Sequence, residues 1–229
     1  MSFIKFIKSL FNLNDNVETD SPIEGAVDFG LPSGTLWANR NIGANTPEEK
    51  GDFFAWGETE PKHIYSMKTY KYEYISKVND DHRVSEGYIK YWKPFRRLKK
   101  EVYEWDNKVI LDPEDDVATV KWGTDWCMPT REELKELGDF CIWEKTKLNG
   151  VEGYKVIGPN KNFIFFPMAG LQNEECPYIQ DSGVYLWSKS SIGCLENFAC
   201  YMGFDFKWVN SNLRYQGLTV RAVVNKKSD

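Results

Sequence analysis

Residues 111–137 read LDPEDDVATVKWGTDWCMPTREELKEL, and two helix starts are written into them. Thr130-Arg131-Glu132-Glu133 has the form of a capping box: the threonine hydroxyl accepts a first-turn N–H, and Glu133 reaches back to the cap's own N–H. Leu134, Leu137 and Cys141 follow at helical spacing, so the main helix is expected to begin at Thr130. Upstream, Asp112 and Pro113 precede Glu114, Asp115 and Asp116, which predicts a shorter helix over Pro113–Thr119. Proline suits the first helical position, and acidic side chains there complement the helix dipole.

Outward from this stretch the chain reads as short strands and turns. Before it, Ala26–Phe29 and Thr35–Ala38 are strand candidates flanking the turn Leu31-Pro32-Ser33-Gly34, and Asp52–Trp56 (DFFAW) reads as an aromatic strand closed by Gly57. After it come Tyr154–Ile157, Phe163–Phe166, Gly183–Trp187, Ala199–Phe204, Lys207–Val209 and Thr219–Val224. There is no βαβ alternation, so the fold class is α+β, with few helices, short antiparallel strands and long loops.

The 229 residues carry 29 Lys+Arg against 34 Asp+Glu and are 15% aromatic. The aromatic load excludes disorder for most of the chain, and the mild acidity argues against a general nucleic-acid binder. Cys127, Cys141, Cys176, Cys194 and Cys200 include no Cys-x-x-Cys, and the only histidines are His63 and His82. A zinc site of Cys/His pairs is therefore not expected, nor a histidine-driven catalytic triad. Asp112, Glu114, Asp115 and Asp116 could offer oxygens to Ca²⁺, but helix capping explains them without a metal and they lack the alternation of an EF-hand loop. No metal and no cofactor is expected.

Residues 1–13, MSFIKFIKSLFNL, are amphipathic: Phe3, Phe6, Ile7, Leu10 and Phe11 share one helical face, with Lys5 and Lys8 opposite. The lysines interrupt any run that could serve as a secretory signal, and nothing approaches the ~20 apolar residues of a membrane span. The expectation is a helix that docks to a membrane surface, a partner or another copy, or that packs on its own domain. Residues 14–25, NDNVETDSPIEG, read as an acidic linker, and residues 226–229 as a tail. With no secretion signal the default compartment is cytoplasmic, which leaves virion or non-classical surface display open.

Six segments together resemble the Fibrobacter succinogenes major paralogous domain (FISUMP) family: VDFGLPSGTLWANRNIGANTPEEKGDFFAWGETEPK (27–62), residues 111–137, NGVEGYKV (149–156), FFPMAG (165–170), YLWSKS (185–190) and YQGLTVRAV (215–223). The resemblance implies a C-type-lectin-like domain over residues 26–225, similar to formylglycine-generating enzymes and to the variable proteins of diversity-generating retroelements. Two features depart from the family pattern: the chain has no lipobox, and it carries an insertion at residues 63–108. Over 90–108, seven cations oppose three anions, interleaved with Tyr91, Trp92, Phe95, Tyr103 and Trp105. Basic residues with aromatics can grip single-stranded nucleic acid, but the chain is acidic and the strip short, so the favoured reading is a solvated excursion anchored by its aromatics, and no specific nucleic acid is expected.

Three functions follow from the resemblance. The expected one is non-enzymatic, adhesin-like recognition of a protein or glycan by the late strands and loops. Ser188, Lys189, Asn197, Tyr201, Asp205, Lys207, Asn210, Asn212, Arg214 and Tyr215 stand near the ligand, while Trp187, Trp208 and Val220 belong to the core. Tyrosines give contact area with few torsions to freeze, and Ser/Asn give adaptable hydrogen bonds. The alternatives are a structural or assembly subunit of a virion or appendage, and a cysteine–metal oxidase built on Cys194 and Cys200.

Overall fold

The segments around Ser33 and Thr130, distant in sequence, meet in space. The computed structural model describes residues 23–72, 74–78, 84–88, 108–174, 183–192, 197–203 and 208–224. Among these the order is β1 (Ala26–Asp28), β2 (Leu36–Ala38), β3 (Tyr74–Val78), β4 (Val84–Tyr88), α1 (Val117–Trp122), β5 (Trp126–Cys127), α2 (Arg131–Phe140), β6 (Ile142–Leu148), β7 (Val151–Ile157), β8 (Phe163–Pro167), β9 (Tyr185–Ser191), β10 (Phe198–Gly203), β11 (Trp208–Leu213) and β12 (Val223–Val224). The N-terminal segment 1–13 with Phe3, Phe6, Ile7, Leu10 and Phe11, most of the linker, much of the 63–108 insertion and the tail lie outside the described residues.

The capping box at Thr130 forms as expected. Glu133 N–H donates to Thr130 Oγ1 (3.1 Å), and Thr130 N–H donates to Glu133 Oε2 (2.8 Å). The same helix face receives the Pro-Ser-Gly turn: Ser33 N–H donates to Glu136 Oε1 (2.8 Å), its hydroxyl to Glu136 Oε2, and Thr35 Oγ1 to Glu133 Oε1 (3.1 Å). Two segments about a hundred residues apart thus hold each other through carboxylates on one helix.

The architecture is mainly β, of α+β type. Its antiparallel sheets have the orders β1-β2-β12-β5, β11-β10-β9, β6-β7-β8 and β3-β4. β12 pairs with β2 and β5, so the closing strand seals the domain against its opening strands. The β6–β7 hairpin turns at Asn149-Gly150, where φ values of 50° and 86° require the left-handed conformations that Asn and Gly tolerate.

The core has two parts. Leu134 and Leu137 of α2 pack with Phe29, Trp37, Phe166, Leu186, Met202 and Val223. Trp56, Trp187, Ala199, Phe54, Leu218 and Val220 form the second part on the other face of the β9–β11 sheet. Trp187 and Val220 are core residues as expected, both wholly buried.

Three sequence expectations need correction. The short helix spans Val117–Trp122, not Pro113–Thr119, and its cap is Asp116, whose Oδ1 accepts from Ala118 N (3.0 Å) and Thr119 N (3.2 Å). Met128 N–H donates to the same carboxylate (3.0 Å to Oδ1), so a contact twelve residues away sets the helix start. Asp52–Trp56 is not a strand; it makes one isolated bridge, Phe54 with Leu218, and meets β9 through the indole bonds Trp187 Nε1 to the Phe54 carbonyl and Trp56 Nε1 to the Ser188 carbonyl. Thr219–Val224 shortens to Val223–Val224, because Thr219 instead makes a parallel bridge with Leu186.

Candidate functional site

The site expected from the sequence lies on the β9–β11 sheet, whose pairing decides what is displayed. Tyr201 on the central strand β10 stands opposite Asn210 of β11 and Trp187 of β9, and Ala199 stands opposite Asn212. Because side chains alternate along a strand, Tyr201, Asn210, Asn212, Trp187 and Tyr185 share one face. On it the Tyr185 and Tyr201 rings stack 6.1 Å apart at 18°, and Trp187 meets Tyr201 edge-on at 6.3 Å. Trp187 is the buried floor; both tyrosines are half-buried and Asn210 is exposed.

The asparagine amides are oriented by their own backbone. Asn210 Oδ1 accepts from Ser211 N–H (2.8 Å), and Asn212 Oδ1 accepts from Leu213 N–H (2.9 Å). Each carbonyl is used, so each NH₂ has no protein partner among the described residues. Burial, then the adjacent Tyr185 phenol, hold the Tyr201 hydroxyl above its ordinary range, so it remains a neutral O–H. The combination offers an aromatic shelf beside outward amide donors.

Other expected contact residues are elsewhere. Ser188, Arg214 and Tyr215 are 0%, 1% and 5% exposed, so they support the sheet from within and do not face a ligand. The Ser188 carbonyl accepts from Trp56 Nε1 (2.7 Å), and the Arg214 guanidinium lies 4.7 Å over the Trp56 ring. Lys189 is half-buried and turned to the Cys127 thiol, Nζ to Sγ 3.4 Å. Asn197 is half-buried; its backbone carbonyl accepts from Arg214 N–H (2.9 Å), and its buried Oδ1 has no partner among the described residues. Asp205 and Lys207, and the side chain of Trp208, lie outside the described residues. Tyr185 was missing from the expected set, although its spacing from Trp187 and Lys189 already placed it on the same strand face.

The alternative chemistries can be located. Asp112 pairs with Lys108 (2.6 Å), Asp115 with Lys71 (2.9 Å), and Asp116 caps α1. Burial dominates Asp116 and raises its pKa despite four stabilising neighbours. Among the described residues no group of three or more His, Cys, Asp or Glu is placed to hold a metal ion. Cys194 lies outside the described residues, and Cys200 is buried in β10. His63 is an exposed loop residue. No helix among the described residues is long and apolar enough to cross a membrane.

The buried thiols give a direct measurement. Burial pushes Cys200 up to about 11 and, with Glu136 adding to it, Cys141 up to about 12; Cys127 is raised as well. Alkylation needs the thiolate, so iodoacetamide at pH 8 is expected to leave these three cysteines unmodified until urea unfolds the chain, as read by peptide mass spectrometry. The sign for stability follows: the folded pKa values exceed the ordinary 9.0, so this contribution is full below pH 9 and lost as pH rises through 11 to 12.

Comparison with known proteins found no matching family model, no matching curated protein and no matching solved structure.

Proposed function

We propose that this protein is a non-enzymatic recognition module that holds a protein or glycan ligand where the Tyr185–Tyr201–Asn210 face of the β9–β11 sheet emerges from the core. The carrying observation is the stacked Tyr185–Tyr201 pair beside Asn210 and Asn212, whose amide NH₂ groups have no partner among the described residues. Aromatic shelves with adaptable polar neighbours concentrate binding energy at low entropic cost. The FISUMP resemblance and the C-type-lectin-like fold it implies support the same reading, since the variable proteins of that fold display ligand-contacting side chains in this region. In this proposal residues 1–13 dock or multimerise the domain, so that a weak single site gains from repetition.

The test is a glycan and protein-ligand screen with the full chain, followed by Tyr201→Ala and Asn210→Ala. Truncating Tyr201 is expected to weaken the selected ligand by about 1–2 kcal/mol, roughly tenfold, at a temperature where thermal unfolding shows the variant still folded. A folded Tyr201→Ala protein that binds like the parent overturns the face. Stable self-association that a Tyr201→Ala substitution abolishes would assign the same face to a permanent assembly interface.

A further inference from the structure

A second cleft, formed by other elements, opens between the β1–β2 pair and the α1–β5 corner. It encloses about 180 Å³ and is walled by Glu24, Gly25, Asn39, Arg40, Trp122 and Trp126. Sites for drug-sized ligands span about 300–1,000 Å³, so this volume suits a single ring with small substituents.

Its groups are held in place before any ligand arrives. Arg40 Nε donates to the Ala44 carbonyl (3.0 Å), Nη1 donates to Asn39 Oδ1 (3.3 Å), and the guanidinium carbon lies 5.3 Å over the Trp122 ring. Trp126 braces Trp122 edge-on at 5.3 Å. These contacts use part of the donor set only. Arg40 Nη2, the Asn39 amide nitrogen and both indole N–H groups have no hydrogen-bond partner among the described residues. None of them is a fully buried, orphaned atom, so each remains reachable from solvent. Gly25 keeps the approach open. At φ +82° it has no side chain, and a Cβ there would stand 3.6 Å from Asn39 Oδ1 and 3.7 Å from Arg40 Nη1. The exposed Glu24 supplies the only carboxylate of the lining.

Several fixed donors, one permanently charged, face one carboxylate acceptor at the rim. A guanidinium over an indole, bonded to an amide oxygen whose NH₂ is unpaired beside it, matches a carboxylate ligand. A neutral sugar would offer the guanidinium no charge-assisted partner, and a bare carboxylate would leave Glu24 and the indoles unused. We propose that this cleft binds a sugar acid of hexuronate size: Arg40 Nη2 and Asn39 Nδ2 hold the carboxylate, while Glu24 and the indole N–H groups take ring hydroxyls. The site is independent of the β9–β11 face.

The experiment titrates the full chain with sodium D-glucuronate, D-glucose and sodium acetate, followed by calorimetry and tryptophan fluorescence. Glucuronate is expected to saturate with a dissociation constant near ~1 mM, at least about tenfold tighter than glucose or acetate. Arg40→Gln and Asn39→Asp are each expected to weaken it about tenfold or more. Asn39→Asp turns the unpaired donor into an acceptor without removing volume, so it carries the test if Arg40→Gln perturbs folding. Tyr201→Ala is expected to leave glucuronate affinity unchanged, which separates this site from the proposed recognition face. Equal binding of glucose overturns the acid assignment, equal binding of acetate overturns the sugar, and no saturation by any of the three overturns the site.

Discussion

Replacing Arg221 by alanine is expected to lower the unfolding free energy by about 3–5 kcal/mol, enough to unfold much of a marginally stable population. Arg221 is wholly buried yet charged. Its Nε donates to Asn41 Oδ1 (2.8 Å), Nη1 to the Ala38 carbonyl (3.1 Å) and Nη2 to the Phe165 carbonyl (3.1 Å), with the guanidinium carbon 4.2 Å over the Phe166 ring. Burial, then the charge of Arg40, pull its pKa down to about 9, still high enough to keep it protonated at neutral pH. Alanine leaves a cavity and strands two backbone carbonyls and an amide oxygen in the interior, each costing its desolvation. Arg221→Met fills most of the volume but strands the same acceptors, so it is expected to recover only part of the loss. Urea denaturation of the three proteins checks this. A methionine variant as stable as the parent would show that the hydrogen bonds contribute no net stability.

Trp56→Ala is the second large effect, expected to cost about 3–5 kcal/mol. Trp56 is fully buried, and its indole N–H donates to the Ser188 carbonyl (2.7 Å). Its backbone N–H donates to the Arg214 carbonyl (2.8 Å), and its carbonyl accepts from the Tyr70 hydroxyl (2.6 Å). One residue therefore joins the loop before β3, strand β9 and the segment after β11, its side chain making the bond to β9 and its backbone the other two. Truncation opens a cavity beneath the β9–β11 sheet and removes the ring against which the buried Arg214 guanidinium lies. Trp56→Phe keeps a ring but drops the N–H, and is expected to cost about 1–2 kcal/mol from the unpaired Ser188 carbonyl. Thermal and urea unfolding of the pair separates the two contributions; equal losses would mean that packing at this site depends on the indole shape and not on the hydrogen bond.

Trp56 also shows why sequence reading went only part of the way. Five residues rich in aromatics, Asp52–Trp56, resemble a buried strand by composition, yet their backbone makes one bridge, Phe54 with Leu218. Aromatic residues report burial, not the partner that supplies the hydrogen bonds. Asp112 and Asp116 show the same gap. Both fit the local rules for a helix cap, and the bond from Met128 N–H to Asp116 selected the second. The Asn149-Gly150 turn, in contrast, was fully legible as a hairpin signal, and strand β6 before it could have been found that way.

Of the residues marked through the family resemblance, Tyr201, Asn210 and Asn212 share one strand face, whereas Ser188, Arg214 and Tyr215 are buried. A serine or an arginine in a strand-rich stretch looks like a surface residue, because burying either is costly without partners. The partners came from Trp56 and from backbone carbonyls far along the chain: Arg214 Nε, for instance, donates to the Phe198 carbonyl (3.3 Å).

By itself the sequence determined what short-range physics controls: the α2 capping box, the turns at glycine and asparagine, an α+β class rich in short strands, and a core built on tryptophans. Tertiary structure alone decided which carboxylate capped α1, which polar side chains were taken inside, and how Arg40, Asn39 and two tryptophans came to enclose one cleft. Those outcomes depend on hydrogen-bond and packing partners separated by up to more than a hundred residues, and no local pattern of residue types encodes which of them will meet.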